Sequence, residues 1–517
     1  MVLDYVILVL YALSMVAIAI YTHNRSKSVD DFLLAGKKGL NGWMSAFAYG
    51  TTYFSAVIFI GYAGKFGTSF GLASIWIGVG NAILGSLIAW KILAKRTKNM
   101  TARLSAKTMP QFFERRYASK NLKIVSAIVI FIFLIPYSAS VYNGLSSLFE
   151  IVFGIEGWII MVCLALLTAV YLFFGGYFAT ALSDFIQGII MIIGVVVMFV
   201  LFMNHSNVGW DLSELASDVT KTWFTFSNPA DATKGIYGPT VTLISLILLT
   251  SMGVWGLPQT VHKYYAIRDK KAINQGVIVS TLFALLIGFI AYFIGALSYY
   301  FAGDIVMTNP DNIIPQMIAF VIPTGVIGVI AVLILSASMS TLSSVSLASA
   351  SVVAVDLYKG VMKKEASDKQ TNIVMRVLCL LFIAISVILA VLNEEFGISA
   401  IAYMMGLSWG TLSGCFIGPF VIGMISKKVT EKSCWASIIG SLVITVALVI
   451  VLGFDQNGWS CSFGTAIVSG ISSSPLIGVI CMAYSLIVTV VVSAFTKKPN
   501  DQVLFDAFDK PLENEIK

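Results

Sequence analysis

Charged residues are scarce in this chain. Asp, Glu, Lys and Arg together make up 11% of its 517 residues, whereas hydrophobic residues make up 58%. Soluble domains usually carry about 25% charged residues. A soluble fold of this size cannot bury so much apolar surface, so lipid must cover part of it. The scarcity of charge therefore excludes an ordinary soluble protein and predicts an integral membrane protein.

Paired cysteines and metal-ligand patterns are also lacking. The six cysteines form no CxxC pair and show no spacing with histidine that is typical of metal ligands. A disulfide framework or a zinc site is therefore not expected. The first apolar stretch, residues 2–21, lacks a basic leader and a small-residue cleavage site, so we interpret it as a retained helix and not a signal peptide.

Long apolar runs are abundant, and each can be measured against a hydrocarbon layer of about 30 Å. Thirteen runs are long enough to cross it, which predicts an all-α polytopic protein whose two termini lie on opposite sides. The predicted spans are 3–22, 41–64, 69–92, 122–147, 156–175, 178–203, 239–257, 275–301, 321–351, 374–392, 397–425, 434–453 and 475–496.

The basic residues predict the orientation. Thirty of the 33 Lys and Arg fall in or beside the connections that follow spans 1, 3, 7, 9 and 11 and in the tail, and the exceptions are Lys65, Lys221 and Lys234. Cytoplasmic loops carry the excess of Lys and Arg. The N-terminus is therefore expected outside, the C-terminus in the cytoplasm, and the net charge of +7 is a topology signal that does not indicate nucleic-acid binding.

Ionisable residues are nearly absent from the predicted spans. No Lys or Arg lies deep within one, and the histidines His23, His205 and His262 fall in predicted loops. Asp184 is the one acidic residue clearly inside a span, and Asp356 is expected at the cytoplasmic interface. Because ionisable groups in membranes are costly and often functional, Asp184 is a candidate cation ligand, although an inert carboxylate near the headgroups is the alternative.

The ninth span is rich in hydroxyl groups, which are ligands that a hard cation such as sodium prefers. Ser340 and Ser344 stand four residues apart on one face, with Thr341 beside them. Small residues also allow transmembrane helices to pack closely, so close packing is an alternative interpretation of the same pattern.

Two spans contain residues that interrupt helices. Residues 49–55 (YGTTYFS) lie in the second span and residues 250–258 (TSMGVWGLP) in the seventh, which are matching positions if spans 2–6 and 7–11 are repeats. Such paired breaks indicate a transporter binding site, although a simple kink is the alternative. Candidate substrate contacts near the breaks are Tyr53, Ser55, Tyr137, Asn143, Ser251 and Trp255.

Over residues 1–500 the sequence resembles the sodium/solute symporter family, which includes proline, pantothenate, sialic acid and glucose symporters. Residues 30–36 (DDFLLAG) are similar to the family's DDY-x-LGG motif, and residues 108–117 (TMPQFFERRY) to its LPDFF-x-x-RY motif. Gly175, Gly176, Asp184 and Gln187 are similar to its GG…TD-x-x-Q motif. Further similar segments are A-x-MSTLS at 337–343 and DLY at 356–358.

The resemblance implies a LeuT-type inverted repeat of five plus five helices, with one helix before and two after. The implied division is 1–40, first helix and loop; 41–203, first repeat; 204–238, outer loop; 239–425, second repeat; 426–496, two accessory helices; and 497–517, a charged, flexible cytoplasmic tail. It implies a main sodium site formed by the carbonyls of Thr51, Phe54 and Ala337 and the hydroxyls of Ser340 and Thr341. A second sodium or exit site would use Asp184, Ser340, Ser343 and Ser344.

The resemblance also implies the activity: a plasma-membrane symporter that uses sodium, with no organic cofactor, to import a small solute. Carboxylates, amino acids such as proline, pantothenate, sialic acid and sugars are all candidate solutes. Tyr53 stands where proline transporters carry Asp, which counts against a proline site of the familiar kind. Proton coupling and, less favoured, an ion channel are the alternatives, and no acid–base pair indicates an enzyme. The expected partners are the solute and the bilayer, without nucleic acid.

Overall fold

The computed structural model describes residues 2–22, 29–34, 39–218, 221–222, 236–397 and 400–512. These residues form helices and no strand; one isolated bridge joins Leu40 and Ile267. His23, Lys234, part of the DDFLLAG motif and most of the segment 219–235 lie outside the described residues. The prediction of an all-helical chain is confirmed.

The helices are numbered here in chain order. Those of the first half are α1 Val2–Thr22, α2 Val29–Leu34, α3 Gly42–Tyr53, α4 Val57–Arg103, α5 Met109–Tyr117, α6 Lys120–Phe153, α7 Gly157–Asn204 and α8 Ser213–Ser217. Those of the second half are α9 Pro239–Met252, α10 Pro258–Tyr265, α11 Lys270–Leu297, α12 Ile313–Val321, α13 Ile327–Met362, α14 Asp368–Phe396, α15 Ile401–Ile425, α16 Glu431–Asn457, α17 Phe463–Ser472, α18 Ser474–Ala494 and α19 Asp501–Leu504.

Among the described residues, ten helices are long and apolar enough to cross a membrane, or eleven if α9 and α10, bent by 42°, form one broken span. Two of the ten are unusually long: α4 has 47 residues and α7 has 48. At about 1.5 Å per residue each would measure about 70 Å, more than twice the hydrocarbon thickness. Both contain a glycine with positive φ, Gly71 (57°) in α4 and Gly176 (61°) in α7.

Helix α13 is the centre of the bundle. Its most apolar window is 94% buried, whereas the corresponding windows of α14, α16 and α18 are 39% buried and leave apolar side chains such as Ile388 and Val443 exposed for lipid. Helix α13 packs against α1, α3, α6, α7 and α14. Its many serines explain this position, because small side chains let several helices approach one axis closely.

Two expectations about basic residues and histidine are corrected by the fold. His262 and Lys263 lie in α10 and are not loop residues; Lys263 is buried and the His262 ring packs against Tyr177. Asp356 is fully buried in the bundle and accepts a hydrogen bond of 2.8 Å from the Thr108 hydroxyl, and its position at the cytoplasmic interface stays a prediction.

The C-terminal tail is folded as far as it is described. Helix α19 continues as a π-helix over Phe505–Asp509. The Asp509 carboxylate accepts a hydrogen bond of 2.7 Å from Lys427, and the Phe508 ring lies 5.0 Å from the Arg116 guanidinium. The expectation of a flexible tail therefore does not hold for residues 501–509.

Candidate functional site

The first break in a helix inside the bundle follows α3. Helix α3 ends at Tyr53, and Phe54 is extended (φ −106°, ψ 112°) before helical structure resumes at Val57. The Ser338 hydroxyl of α13 accepts a hydrogen bond of 3.2 Å from the Ala56 backbone N–H, which would otherwise lose its helical partner. The broken segment is therefore held in place by α13.

The second break lies between α9 and α10. A 3-10 turn over Gly253–Trp255 follows α9, and Leu257 is extended (φ −85°, ψ 124°) before Pro258 begins α10. Proline at the first helical position has no N–H to leave unpaired, so it favours a helix start there. Gly256 packs so closely on α15 that an added Cβ would lie 3.0 Å from the Ile417 backbone nitrogen.

Hydroxyls of α13 meet backbone carbonyls at the end of α3. The Ser340 hydroxyl lies 3.0 Å from both the Thr51 carbonyl and the Ala337 carbonyl. The Thr341 hydroxyl lies 3.4 Å from the Thr51 carbonyl, 3.2 Å from the Thr52 carbonyl and 3.1 Å from the Ala337 carbonyl. All of these residues are buried. We name this group the hydroxyl–carbonyl cluster.

The spacing of these oxygens suits a small hard cation. Oxygens that surround an octahedral ion at the 2.3–2.6 Å typical of calcium are about 3.3–3.7 Å from their neighbours. The observed separations of 3.0–3.4 Å would therefore need to widen by only a few tenths of an ångström. Four predicted ligand residues, Thr51, Ala337, Ser340 and Thr341, lie together; Phe54 lies at the adjoining break, and the sodium assignment stays a prediction.

A buried ion pair lies one turn farther along α13. The Lys263 ammonium of α10 is 3.2 Å from the Asp184 carboxylate of α7 and 2.8 Å from the Ser344 hydroxyl. The Ser344 hydroxyl also lies 2.9 Å from the Thr52 hydroxyl of α3. The Lys263 and Asp184 side chains are 2% and 0% exposed. Lys263 lies beyond the predicted span 239–257, so the sequence analysis did not anticipate this buried lysine.

Ser343, which is also predicted for this second site, is oriented elsewhere. The Ser343 hydroxyl donates to the Ser340 carbonyl of its own helix at 3.0 Å. One oxygen of Asp184, Oδ1, is buried and accepts no hydrogen bond from the described residues. A sodium ion about 4 Å from an ammonium group is repelled by about 4 kcal/mol at an effective dielectric constant of about 20. Whether these residues hold sodium stays a prediction, and Lys263 now belongs to their site.

Three of the predicted substrate contacts lie between the two breaks. The Tyr53 hydroxyl donates to the Thr250 carbonyl at 2.6 Å and so joins α3 to α9. The Ser251 hydroxyl donates to Asn81 of α4 at 3.1 Å, and the Trp255 indole N–H donates to the Leu84 carbonyl at 3.1 Å. Asn81 was not expected from the sequence, because an isolated amide in an apolar run gives no distinctive signal.

An aromatic group lies next to the first break. The Trp409 ring of α15 is 6.1 Å from the Tyr53 ring and 5.5 Å from the Tyr137 ring. The Tyr137 hydroxyl faces Ser55 and Thr341. Within the described ranges, neither the Tyr137 hydroxyl nor the Trp409 indole N–H makes a hydrogen bond, although both are buried. Leaving a buried donor unpaired costs about 1–3 kcal/mol, so these two groups are available for a ligand.

Asn143 does not belong with these residues. Its side-chain amide donates to the Ala390 carbonyl of α14 at 2.8 Å, and its side-chain oxygen accepts from Asn393 at 3.3 Å. Both ends of this amide therefore bond to α14, and its role as a substrate contact stays a prediction. Trp409, which the sequence analysis missed, takes part in the aromatic group instead.

Two contacts join helix α15 to neighbouring elements near its first residues. The Lys65 ammonium lies 4.0 Å from the centroid of the Tyr403 ring. Asp311 accepts a hydrogen bond of 3.1 Å from the Ile401 backbone N–H. Burial raises the pKa of Asp311, and the Ile401 hydrogen bond and the charge of Lys65 oppose that rise. These contacts join α4 and the turn before α12 to the start of α15.

Known proteins of similar sequence are transporters. A sequence model of the sodium:solute symporter family matches residues 32–440. The osmoregulated proline transporter OpuE of Bacillus subtilis is 27% identical over 508 residues, which cover 95% of this chain and 94% of that protein. A sodium/proline symporter of Staphylococcus aureus is 26% identical over 506 residues, which cover 96% and 93%.

A solved structure shares the fold. A substrate-bound, outward-open structure of a Na⁺-coupled sialic acid symporter superimposes with a TM-score of 0.72 at 19% identity, and the match covers 96% of this chain and 99% of that one. At this identity the likeness concerns the fold alone. The expectation that the chain is a transporter and not an enzyme is confirmed, because the matched family consists of symporters. The chain belongs to the sodium:solute symporter family.

Proposed function

We propose that this transporter couples sodium entry to the import of a small organic solute, with proline as the first candidate. The hydroxyl–carbonyl cluster carries the proposal, because it supplies neutral oxygens at cation spacing between a broken helix and α13. Proline is placed first because relatives that span nearly the whole chain are named as proline transporters.

The geometry supplies a route for coupling. Thr51 and Thr52 offer carbonyls to the cluster, and Tyr53, the next residue, bonds across to α9 and touches the aromatic group. An ion that fixes the end of α3 therefore also fixes Tyr53, so sodium favours the conformation that binds solute. Each sodium that enters through 100 mV contributes about 2.3 kcal/mol, and the concentration gradient adds to this.

The solute is expected to be a zwitterion or a monoanion with a compact apolar part. Asp184 and Lys263 form a neutral pair, so one sodium in the cluster leaves the region with one positive charge. This favours a solute carboxylate and disfavours a cation. Tyr53, Tyr137 and Trp409 offer ring surfaces, and the unpaired Tyr137 hydroxyl and Trp409 N–H offer donors.

The proposed architecture has thirteen crossings, with repeats over 41–203 and 239–425. Gly176 supports it, because dividing α7 there gives two pieces of membrane-spanning length. Gly71 supports it as well, because the short piece of α4 before Gly71 reaches spanning length when it is joined to α3 across the break. The distribution of Lys and Arg supports an outside N-terminus and a cytoplasmic C-terminus. In intact cells, a membrane-impermeant maleimide is expected to label Cys461, which lies between α16 and α17, and a Cys461→Ser variant is the control. Labelling of Cys461 only in opened cells would reverse the orientation.

Uptake into proteoliposomes tests the function. We expect accumulation of radiolabelled proline or another zwitterion under an inward sodium gradient, and loss of accumulation when choline replaces sodium at constant pH. A panel with pantothenate, sialic acid and hexoses identifies the solute. Accumulation driven by a proton gradient without sodium, or a current without solute, would contradict the proposal and favour proton coupling or a channel.

A further inference from the structure

We propose that Lys263 is a built-in cation that takes the place of a second sodium ion, so that each chain binds a single sodium ion, in the hydroxyl–carbonyl cluster. The inference rests on the proposed function, because it concerns the number of ions that a sodium symporter binds. It starts from the position of one ammonium group between three helices.

The ammonium occupies the position that a second cation would need. It lies 3.2 Å from Asp184 Oδ2 and 2.8 Å from Ser344 Oγ, two of the four residues predicted to hold that ion. The ammonium also faces the Tyr177 ring, whose centroid is 5.2 Å away and whose face attracts cations. The Lys263 ammonium thus contacts the carboxylate, the hydroxyl and the ring face, so the chain itself supplies the cation that these groups attract.

The electrostatics disfavour a second ion beside this group. The pair of Lys263 and Asp184 is neutral as it stands, and both side chains are shielded from water. A sodium ion at Asp184 would meet the ammonium at short range with little solvent to screen the repulsion. The main cluster differs, because the groups that meet there among the described residues are neutral hydroxyls and carbonyls.

A tethered cation also has a different role from a free ion. Lys263 belongs to α10, which follows the second break, while Asp184 belongs to α7 and Ser344 to α13. Ser344 in turn contacts Thr52 at the end of α3. The ammonium therefore joins the two broken helices through fixed partners, and it cannot be released with the solute. It joins these helices as a second bound ion would, but it is not transported.

Counting bound ions tests the inference. Purified full-length protein is equilibrated with ²²Na⁺ at saturating concentration, and the sodium ions bound per chain are measured. We expect one ion. A count of two would overturn the inference and leave sodium coupling intact, whereas a count of zero together with sodium-independent uptake would overturn the proposed function itself. The two failures are therefore distinguishable.

Substitutions of Lys263 test whether this residue sets the number of bound sodium ions. Lys263→Gln, which leaves Asp184 free to take an ion, is expected to bind two sodium ions, a twofold increase, and adding Asp184→Asn is expected to return the count to one. Lys263→Arg, which keeps the charge, is expected to bind one ion. A count of one in Lys263→Gln would overturn the inference, and if that variant does not fold, the wild-type and Lys263→Arg counts decide it.

The ion pair of Lys123 and Glu114, which is less deeply buried, supplies a matched control. Lys123 lies 2.7 Å from Glu114 on the basic side of the bundle, and the two side chains are 8% and 21% exposed. Lys123→Gln also removes a lysine from a carboxylate, but it lies outside both cation regions and is expected to keep a count of one. A rise in this control would show that the loss of any inner lysine creates sodium binding, and the assignment to Lys263 would fail.

Discussion

Two neighbouring regions of α13 accommodate a positive charge inside the bundle in different ways. The hydroxyl–carbonyl cluster around Ser340 and Thr341 presents only neutral oxygens, whereas the region around Ser344, about 6 Å farther along the helix, holds the Asp184–Lys263 pair. The hydroxyl–carbonyl cluster needs a cation from solution, whereas in the charged pair the Lys263 ammonium is itself the cation. An exchangeable ion and a permanent cross-link can therefore coexist on one serine-rich helix.

The largest effect is expected when the charged pair is broken. Lys263→Met leaves the Asp184 carboxylate buried without its partner, and breaking a buried pair in this way typically costs about 3–5 kcal/mol. The melting temperature in detergent should fall sharply and uptake should be lost. The measurements are a thermal melt followed by size-exclusion chromatography, and solute uptake into proteoliposomes.

A second substitution in Lys263→Met distinguishes the effect of the lost charge from the effect of the lost packing. Adding Asp184→Asn to Lys263→Met removes the uncompensated charge, so the double variant should melt at a higher temperature than Lys263→Met alone. If the double variant is no more stable, the Lys263 side chain acts through packing, and the contrast between the two regions is weaker than the structure indicates.

A smaller effect is expected in the neutral cluster. Ser340→Ala and Thr341→Ala each remove one hydroxyl oxygen that faces the Thr51 carbonyl, and the loss of about 1.4 kcal/mol of ion binding raises the half-saturation concentration tenfold. Uptake measured against sodium concentration gives this value. Ser351→Ala is the matched control, because Ser351 is buried on the same helix but bonds only to the Ala348 carbonyl. An equal shift in the control would argue against the assignment of the cluster.

A solute contact should respond more weakly still. Tyr137→Phe removes a buried hydroxyl with no hydrogen-bond partner among the described residues, so the stability of the solute-free protein should not fall. A hydrogen bond to the solute is worth about 0.5–1.5 kcal/mol, so the solute half-saturation should rise about 2- to 13-fold. Tyr142→Phe, an equally buried tyrosine near Thr168, is the control. An unchanged solute half-saturation in Tyr137→Phe would remove Tyr137 from the site.

The smallest effect concerns an exposed ion pair of similar length. Lys427 and Asp509 lie 2.7 Å apart, but both side chains are 51% exposed. Exposed pairs contribute about 0–1 kcal/mol because water and salt screen them. Lys427→Ala should therefore leave uptake unchanged and lower the melting temperature slightly at most. A loss comparable to that of Lys263→Met would show that the docked tail has a role beyond a surface contact.

Some of the site could be predicted from the sequence because its signals are local. The break in α3 follows from Gly50 and the hydroxyl-rich residues after it, and the break before α10 from Gly256 and Pro258. Ser340 and Thr341 share a face with Ser344 because of the helical repeat. Trp409 and Asn81 gave no such signal, since each is a single residue in an apolar run that becomes a neighbour only through packing.

The sequence by itself determined that the chain is a helical membrane protein, because the number of apolar residues per segment decides whether a helix prefers lipid. It also determined which helix carries hydroxyls and which helices break, because glycine, proline and serine act on their own backbone. Only the tertiary structure placed Lys263 on Asp184 and turned Asn143 toward α14. Lys263 stands in sequence close to Arg268, Lys270 and Lys271 and has the pattern of a loop residue, but burial depends on which helices surround it. Lys263 and Asp184 stand 79 positions apart in the chain, and packing alone brings them together.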